Sequence, residues 1–171
     1  RSASFDMVDY SYCVPEYNGV RMNTRDILHV KLKSKSGGKI YDFIVNHHPS
    51  KFGGANESEG RRMAAMETLS SMCDSLASVS VSSDGYKGII AMGDFNDTPD
   101  GSQFATIEGV LENKGLRLHD EGQGTIRYKG KWELIDFFLT SSGLVAEKME
   151  VVKIPFLMTY DKRYPGEKPL R

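Results

Sequence analysis

The stretch GIIAMGDFNDTP, Gly88 to Pro99, passes directly from an apolar segment to a polar one. Its apolar half predicts a short β-strand that is covered on both faces, because no polar residue interrupts the run. Side chains alternate along a strand, so Asp94 and Asn96 are predicted to project to one side while Phe95 points into the core. A carboxylate beside an amide suits a hard cation, or a phosphate and an attacking water. The alternative is a polar turn without function, since DFNDTPDG is rich in turn-forming residues.

A second apolar strand ends in polar residues in the same way, in VNHHPSKFGG, Val45 to Gly54. The adjacent His47 and His48 are predicted to face opposite sides of this strand, so they cannot easily bind one metal ion together. At most one of the two therefore lies in a site. The alternative for either is a histidine that is satisfied in the turn before Pro49.

Asp136 lies within WELIDFFLT, where almost all of its neighbours are apolar. A buried carboxylate is costly unless it is paired, so Asp136 is expected to have a partner. That partner is a histidine oriented for acid–base chemistry, or a backbone group or arginine with no catalytic role. Arg127, Lys129 and Lys131 precede it, and they either steer a phosphate or form a solvated basic hairpin.

The surrounding sequence predicts strands mixed with covering helices, which indicates a layered α/β or α+β sandwich. The segments TRDILHVKLK and KIYDFIVNHHP alternate as two strands of a hairpin, and Ser78 to Ser83 is typical of a loop. Asn56 and Glu59 fit a capping box, which predicts that a helix begins there. Apolar residues recur at helical spacing along this helix, at Ala65, Leu69, Met72 and Leu76. A second helix is predicted from Asp100 to Gly115, and a hairpin is predicted to turn at Lys129–Gly130.

Composition limits the classes of function. The chain has 171 residues, 39% of them hydrophobic, which suits a single domain with a real core. Its net charge of -1 gives no global attraction to polyanions, which disfavours long nucleic acids as partners. The sequence contains no G-x-S-x-G elbow, no complete P-loop, no transmembrane run and no targeting signal, so its localisation stays open.

The motifs VNHHPSK, GDFNDTP and WELIDFFLTS, in that order, resemble those of the endonuclease/exonuclease/phosphatase superfamily. The resemblance covers most of the chain from Thr24 onward. It implies part of a four-layer α/β sandwich of the deoxyribonuclease-like type, with mixed, largely antiparallel sheets covered by helices. It also implies cleavage of a phosphomonoester or phosphodiester with Mg²⁺ or Mn²⁺ at the strand ends.

The resemblance also implies roles for individual residues. Asp94 and Asn96 match the pair that binds the phosphate and positions the attacking water, sometimes with a metal ion. His47 matches a strand-end histidine that contacts the phosphate, and Asp136 matches a carboxylate that orients a catalytic histidine. Asn46 and, as the less favoured register, His48 are assigned to substrate binding. Arg127 is assigned to it as well, from its place in the basic hairpin and not from the resemblance.

The chain also departs from the family pattern. The family supplies a metal-binding glutamate from an N-terminal half and a Ser-Asp-His motif near its C-terminus, and neither is found between Arg1 and Arg171. The sequence is therefore interpreted as one incomplete domain that binds Mg²⁺ weakly, has little activity alone and self-associates through exposed core. The substrate is a small phosphoester, a lipid headgroup or a nucleic acid. The alternative is a non-catalytic binding or interaction module.

Overall fold

The computed structural model describes residues 4–80, 84–144 and 148–170. Twelve strands and two α-helices are formed in these ranges. The strands are β1 (Phe5–Cys13), β2 (Glu16–Tyr17), β3 (Val20–Arg21), β4 (Ile27–Ser34), β5 (Ile40–His47), β6 (Tyr86–Asp94), β7 (Glu112–Asn113), β8 (Ile126–Tyr128), β9 (Lys131–Glu133), β10 (Asp136–Thr140), β11 (Met158–Asp161) and β12 (Gly166–Pro169). The helices are α1 (Ala55–Ser80) and α2 (Leu116–Asp120).

Six strands form a central sheet in the order β1-β4-β5-β6-β10-β7. Every neighbouring pair is antiparallel except β5 and β6, which are parallel. Parallel neighbours need a long crossover, and α1 provides it between the end of β5 and the start of β6. The predicted fold class, a mixed and largely antiparallel sheet covered by helix, is confirmed.

Helix α1 packs one face on the sheet, as its apolar spacing predicts. Ala65 and Leu69 are fully buried against the sheet. The helix begins at Ala55, so the predicted cap at Asn56 lies inside the first turn instead. It continues to Ser80, so the predicted loop at Ser78 to Ser83 is wrong for its first three residues, and residues 81–83 lie outside the described ranges.

The core lies between α1 and one face of the sheet. Three aromatic rings form its centre beneath the end of β6, with the centroid of Phe95 4.7 Å from Phe137 and 5.6 Å from Phe104. The predicted inward orientation of Phe95 is confirmed, since it has no exposed surface. The strand end that carries the polar residues is therefore anchored from below by a well-packed aromatic cluster.

The opposite face of the sheet carries apolar side chains that the described residues leave largely uncovered. One row of paired residues crosses five strands on this side: Tyr12, Leu28, Val45, Met92 and Phe138. Val45 is 43% exposed and Phe138 is 41% exposed. We call this surface the open face. Within the described residues, β6 is therefore covered on one face, by the core beneath α1.

Two further segments differ from prediction. The helix expected from Asp100 to Gly115 is a short 3-10 helix at Ser102–Ile107, followed by β7. The C-terminal β11–β12 hairpin has no alternating apolar pattern that would have predicted it. By contrast, the predicted β8–β9 hairpin turns at Lys129 and Gly130, which both have positive φ.

In the described ranges, no helix is long and apolar enough to cross a lipid bilayer.

Candidate active site

Three polar residues lie side by side where β5, β6 and β10 meet. His47 pairs with Asp94 across the parallel strands, and Asp94 pairs with Asp136 across the antiparallel ones. Directly paired residues of neighbouring strands project to the same face of a sheet. The next residues along these strands on that face are Val45 and its row partners, so the polar row borders the open face. We call these three residues the polar row.

Asp94 is the central member of the polar row. One of its carboxylate oxygens, Oδ2, lies 4.0 Å from Nε2 of His47. The other, Oδ1, accepts a 2.8 Å hydrogen bond from the backbone N–H of Asn96. Both His47 and Asp94 remain partly exposed, at 39% and 26% of their side-chain surface. An acid–base group and a carboxylate are thus open to solvent within one water molecule of each other.

Asn96 reaches the site by a different route from the one predicted. Strand β6 ends at Asp94, so alternation along a strand does not place Asn96. Its backbone instead adopts a left-handed conformation with φ of 50°, which asparagine tolerates better than most residues. The Asn96 side chain then donates a 2.8 Å hydrogen bond from Nδ2 to the carbonyl of His48. This bond joins the loop after β6 to the segment after β5.

Asn46 and His48 are buried on the side of the sheet away from the polar row. They are 3% and 1% exposed. Asn46 precedes His47 on β5 and so points to the opposite face, whereas His48 follows the end of the strand and packs against the core residue Phe95. Neither side chain lies on the side of the polar row, which His47 shares with Asp94, and substrate binding by Asn46 or His48 stays a prediction.

The buried His48 imidazole packs edge-on against Phe95, with ring centroids 5.1 Å apart. Neither ring nitrogen has a hydrogen-bond partner among the described residues. Desolvation, with smaller repulsion from His47 and Arg62, lowers the pKa of His48 to about 3. The ring is therefore neutral near pH 7, and it packs against Phe95 beneath the end of β6.

Asp136 is exposed at the first position of β10, which corrects the expectation of a buried carboxylate. The apolar neighbours that suggested burial alternate with it to the core face. Its backbone N–H donates to Oγ1 of Thr125 at 3.2 Å, which fixes the start of the strand. The carboxylate makes no hydrogen bond or ion pair within the described ranges, and its role toward a histidine stays a prediction.

Arg127 is bound to the C-terminal hairpin. Its guanidinium donates hydrogen bonds to the carbonyls of Tyr164, at 2.6 Å, and Pro165, at 3.0 Å. These contacts join β8 to the turn of the β11–β12 hairpin. They favour a structural role for Arg127, and its assignment to substrate binding stays a prediction.

The loop after β6 has an anchor that the sequence analysis missed. Arg62, from α1, is 3% exposed and donates from Nε to Oδ2 of Asp97 at 3.2 Å. Lys51 makes a short hydrogen bond to the other oxygen of Asp97. One signal was present in the sequence: Arg62 stands at helical spacing from Ala65 and Leu69, where an apolar residue would be expected.

Comparison with known proteins shows the family to which the chain belongs. The sequence profile described as the Endonuclease/Exonuclease/phosphatase family matches residues 2–160. The chain belongs to this family. The endonuclease/exonuclease/phosphatase resemblance carried by the three motifs is therefore confirmed, and the match extends further toward the N-terminus than those motifs. No curated protein matches the chain.

Solved structures of endonuclease/exonuclease/phosphatase proteins share its fold. The catalytic domain of human Nocturnin, solved with a bound sulfate anion, matches at 19% identity and a TM-score of 0.60. A mannosyl-6-phosphatase from Bacteroides thetaiotaomicron matches at 16% identity and 0.56. A further family member from that organism matches at 15% identity and 0.58. These matches cover 81%, 83% and 99% of this chain but 49%, 55% and 62% of the matched chains. The chain thus spans about half the length of these structures.

Within the described residues, no group of three or more His, Cys, Asp or Glu side chains is placed to hold a metal ion. The two carboxylates of the polar row nevertheless suit a weakly held hard cation. Asp94 and Asp136 are directly paired across two strands, where like charges destabilise each other. Mg²⁺ is bound in proteins by one or two carboxylates together with water and substrate phosphate. Asp94 and Asn96 would supply oxygen ligands to such an ion, and binding of Mg²⁺ or Mn²⁺ stays a prediction.

Proposed function

We propose that this chain carries part of the active site of a metal-dependent phosphoesterase, which hydrolyses a phosphomonoester or phosphodiester. The observation that supports it best is the polar row itself. Three strands that are far apart in sequence bring His47, Asp94 and Asp136 into line at an open edge of the sheet. Family membership supports phosphoester chemistry in general.

Two of the similar structures support a phosphoryl substrate. Human Nocturnin was solved with sulfate, a tetrahedral anion of the same shape as phosphate, and another similar protein is a mannosyl-6-phosphatase. The near-neutral net charge favours a small phosphoester or a lipid headgroup over a long nucleic acid, whose binding rests on many Lys and Arg contacts.

The chemistry that we propose needs one water, one phosphoester and a path for one proton. Asp94 accepts a hydrogen bond from the water and orients it, while His47 lies close enough to exchange a proton with the same water. The water oxygen forms the new bond to phosphorus, the ester bond breaks, and the proton reaches the departing oxygen. Asn96 uses its free amide oxygen to fix the water or the metal ion. A bound Mg²⁺ or Mn²⁺ would offset the charge on the phosphoryl oxygens.

The first prediction is that Asp94→Ala in the full-length protein lowers kcat by about 10²-fold or more, the scale of losing a positioned catalytic group. Hydrolysis of p-nitrophenyl phosphate and bis-p-nitrophenyl phosphate, with Mg²⁺ or Mn²⁺, measures it and separates monoester from diester cleavage. Asp120→Ala, at an exposed position of α2, is the matched control and should retain activity. Metal-independent turnover that survives Asp94→Ala would refute the proposal. Absence of turnover in the wild-type protein would favour a binding module.

A further inference from the structure

Arg62 is a cation enclosed beneath the loop that follows β6. Its guanidinium donates to three acceptors: Asp97 Oδ2 at 3.2 Å, Ser58 Oγ at 2.6 Å and the carbonyl of Ala55 at 3.1 Å. Only 4% of its side-chain surface is exposed. The planar guanidinium is thus held by groups on three sides, in a way that the point charge of a lysine cannot reproduce.

Asp97 is the loop residue that this cation holds. Its Oδ2 faces Arg62, and its Oδ1 accepts from both Lys51 and the backbone N–H of Thr98. Asp97 directly follows Asn96, which is bonded to Asp94 through its backbone and to the His48 carbonyl through its side chain. A continuous series of hydrogen-bonded residues therefore connects α1 through Asp97 to the site.

Stability alone is a poor reason to keep such a pair. A buried ion pair seldom stabilises a protein more than apolar residues of similar size would, because both charges lose their hydration. The position of Arg62 on α1 lies in line with Ala65 and Leu69, whose apolar side chains pack on the sheet. The ion pair instead fixes the residue next to Asn96, whose left-handed backbone turns the loop back toward β5 after β6 ends.

We propose that Arg62 is a positioning residue of the phosphoesterase site: through Asp97 it holds Asn96 and Asp94 in the geometry that the reaction requires. This inference rests on the proposed function. Arg62 does not touch the substrate, because it lies on the core side of the loop. Loss of Arg62 should therefore displace Asn96 and Asp94 and leave the open face beside the site unchanged.

The test compares Arg62→Gln, Arg62→Lys and Arg61→Gln in the full-length protein. Arg61 is the neighbouring arginine on the exposed side of α1, so it controls for loss of charge alone. Arg62→Gln should lower kcat by about 10- to 100-fold, the effect of a small misplacement of catalytic groups, with KM changed less than about threefold. Arg62→Lys should fall between, and Arg61→Gln should match the wild type. A folded Arg62→Gln protein with unchanged kcat would overturn the proposal.

A second readout does not depend on activity. In protein labelled with ¹⁵N-asparagine, the backbone and side-chain amide signals of Asn96 should shift or broaden in Arg62→Gln, while those of the exposed Asn18 should not. This change should appear even if the protein hydrolyses no phosphoester, which separates failure of this inference from failure of the proposed function. Unchanged Asn96 signals in the variant would overturn the inference in either case.

Asp97→Asn keeps the test decisive if Arg62→Gln does not fold. It retains the shape of the side chain and the acceptor for Thr98, at a site that is partly exposed. It should fold, shift the Asn96 signals and lower kcat in the same direction. A merely structural role would instead lower Tm while kcat and KM of the folded protein stay at wild-type values, and that result would overturn the proposal.

Discussion

The backbones of β5 and β6 approach each other closely at Gly93. A Cβ atom at this position would lie 2.1 Å from the carbonyl oxygen of Asn46, and its φ of 134° is one that other residues rarely adopt. We expect Gly93→Ala to lower the free energy of unfolding by at least about 3 kcal/mol, since backbone strain and a clash with main chain add. Gly109→Ala separates the two causes, because Gly109 has a φ of 82° with open space around it. Urea unfolding that shows equal losses at both positions would contradict the role of the clash.

His48 should make the fold sensitive to acid. Its pKa is lowered to about 3 in the folded chain, mainly by burial, whereas the ordinary value is 6.5. Between these values the unfolded chain binds one more proton, so stability falls as the pH decreases from 6.5 toward 3. We expect His48→Phe to remove about 2 kcal/mol of the stability that is lost between pH 6.5 and pH 4.5, because the slope reaches 1.36 kcal/mol per pH unit only once the unfolded imidazole is fully protonated. Urea unfolding at both values measures it, and an identical pH dependence in the two proteins would disprove it.

At the scale of elements, Arg127 holds two hairpins together. Its guanidinium donates to carbonyls in the turn between β11 and β12. Arg127→Gln should therefore speed amide exchange in residues 158–169, while β8 and β9 keep their protection. Lys129→Gln, in the exposed turn of the same hairpin, is the control for charge. Hydrogen exchange read by mass spectrometry tests this, and unaltered exchange with a raised KM would restore Arg127 to substrate binding.

The order of strand and helix could be predicted well around the site and poorly elsewhere. Strands β4, β5 and β6 and helix α1 carry strong apolar periodicity, and the polar strand ends follow from it. The β11–β12 hairpin could not be predicted, because none of its strand residues is fully buried and the sequence has no alternating apolar pattern there. The role of Arg62 was missed although its helix was predicted. Its role depends on Asp97, which folding brings close although the two are distant in sequence.

For the site residues, sequence motifs predicted which residue types gather but not which way each one points. His47 and His48 differ by one position, and only the pairing of His47 with Asp94 decides which of them faces solvent. Asp136 illustrates the same limit, since its apolar neighbours occupy the other face of β10. Register is set by packing across the whole sheet, which a local pattern cannot specify.

At the scale of the whole molecule, the open face predicts association. Its apolar rows include Val45 and Phe138, each more than 40% exposed. We expect the 171-residue chain to self-associate in a concentration-dependent way. The double substitution Val45→Lys and Phe138→Lys should raise the dissociation constant at least about tenfold, which corresponds to the loss of one buried apolar side chain. Light scattering after gel filtration measures it. Val152→Lys, outside the open face, is the control. A monomer at every concentration would contradict the prediction.

The position of β10 between β6 and β7 has a consequence for synthesis on the ribosome. Everything up to β7 emerges before β10, so the nascent chain presents β6 as a free edge with unpaired amide and carbonyl groups. Phe137 and Leu139 are still missing from the core at that stage. A pause in translation between Asn113 and Asp136 would prolong this state, in which an unpaired strand edge and an incomplete core favour aggregation. The residue that completes the polar row is also the first residue of the strand that ends this exposure.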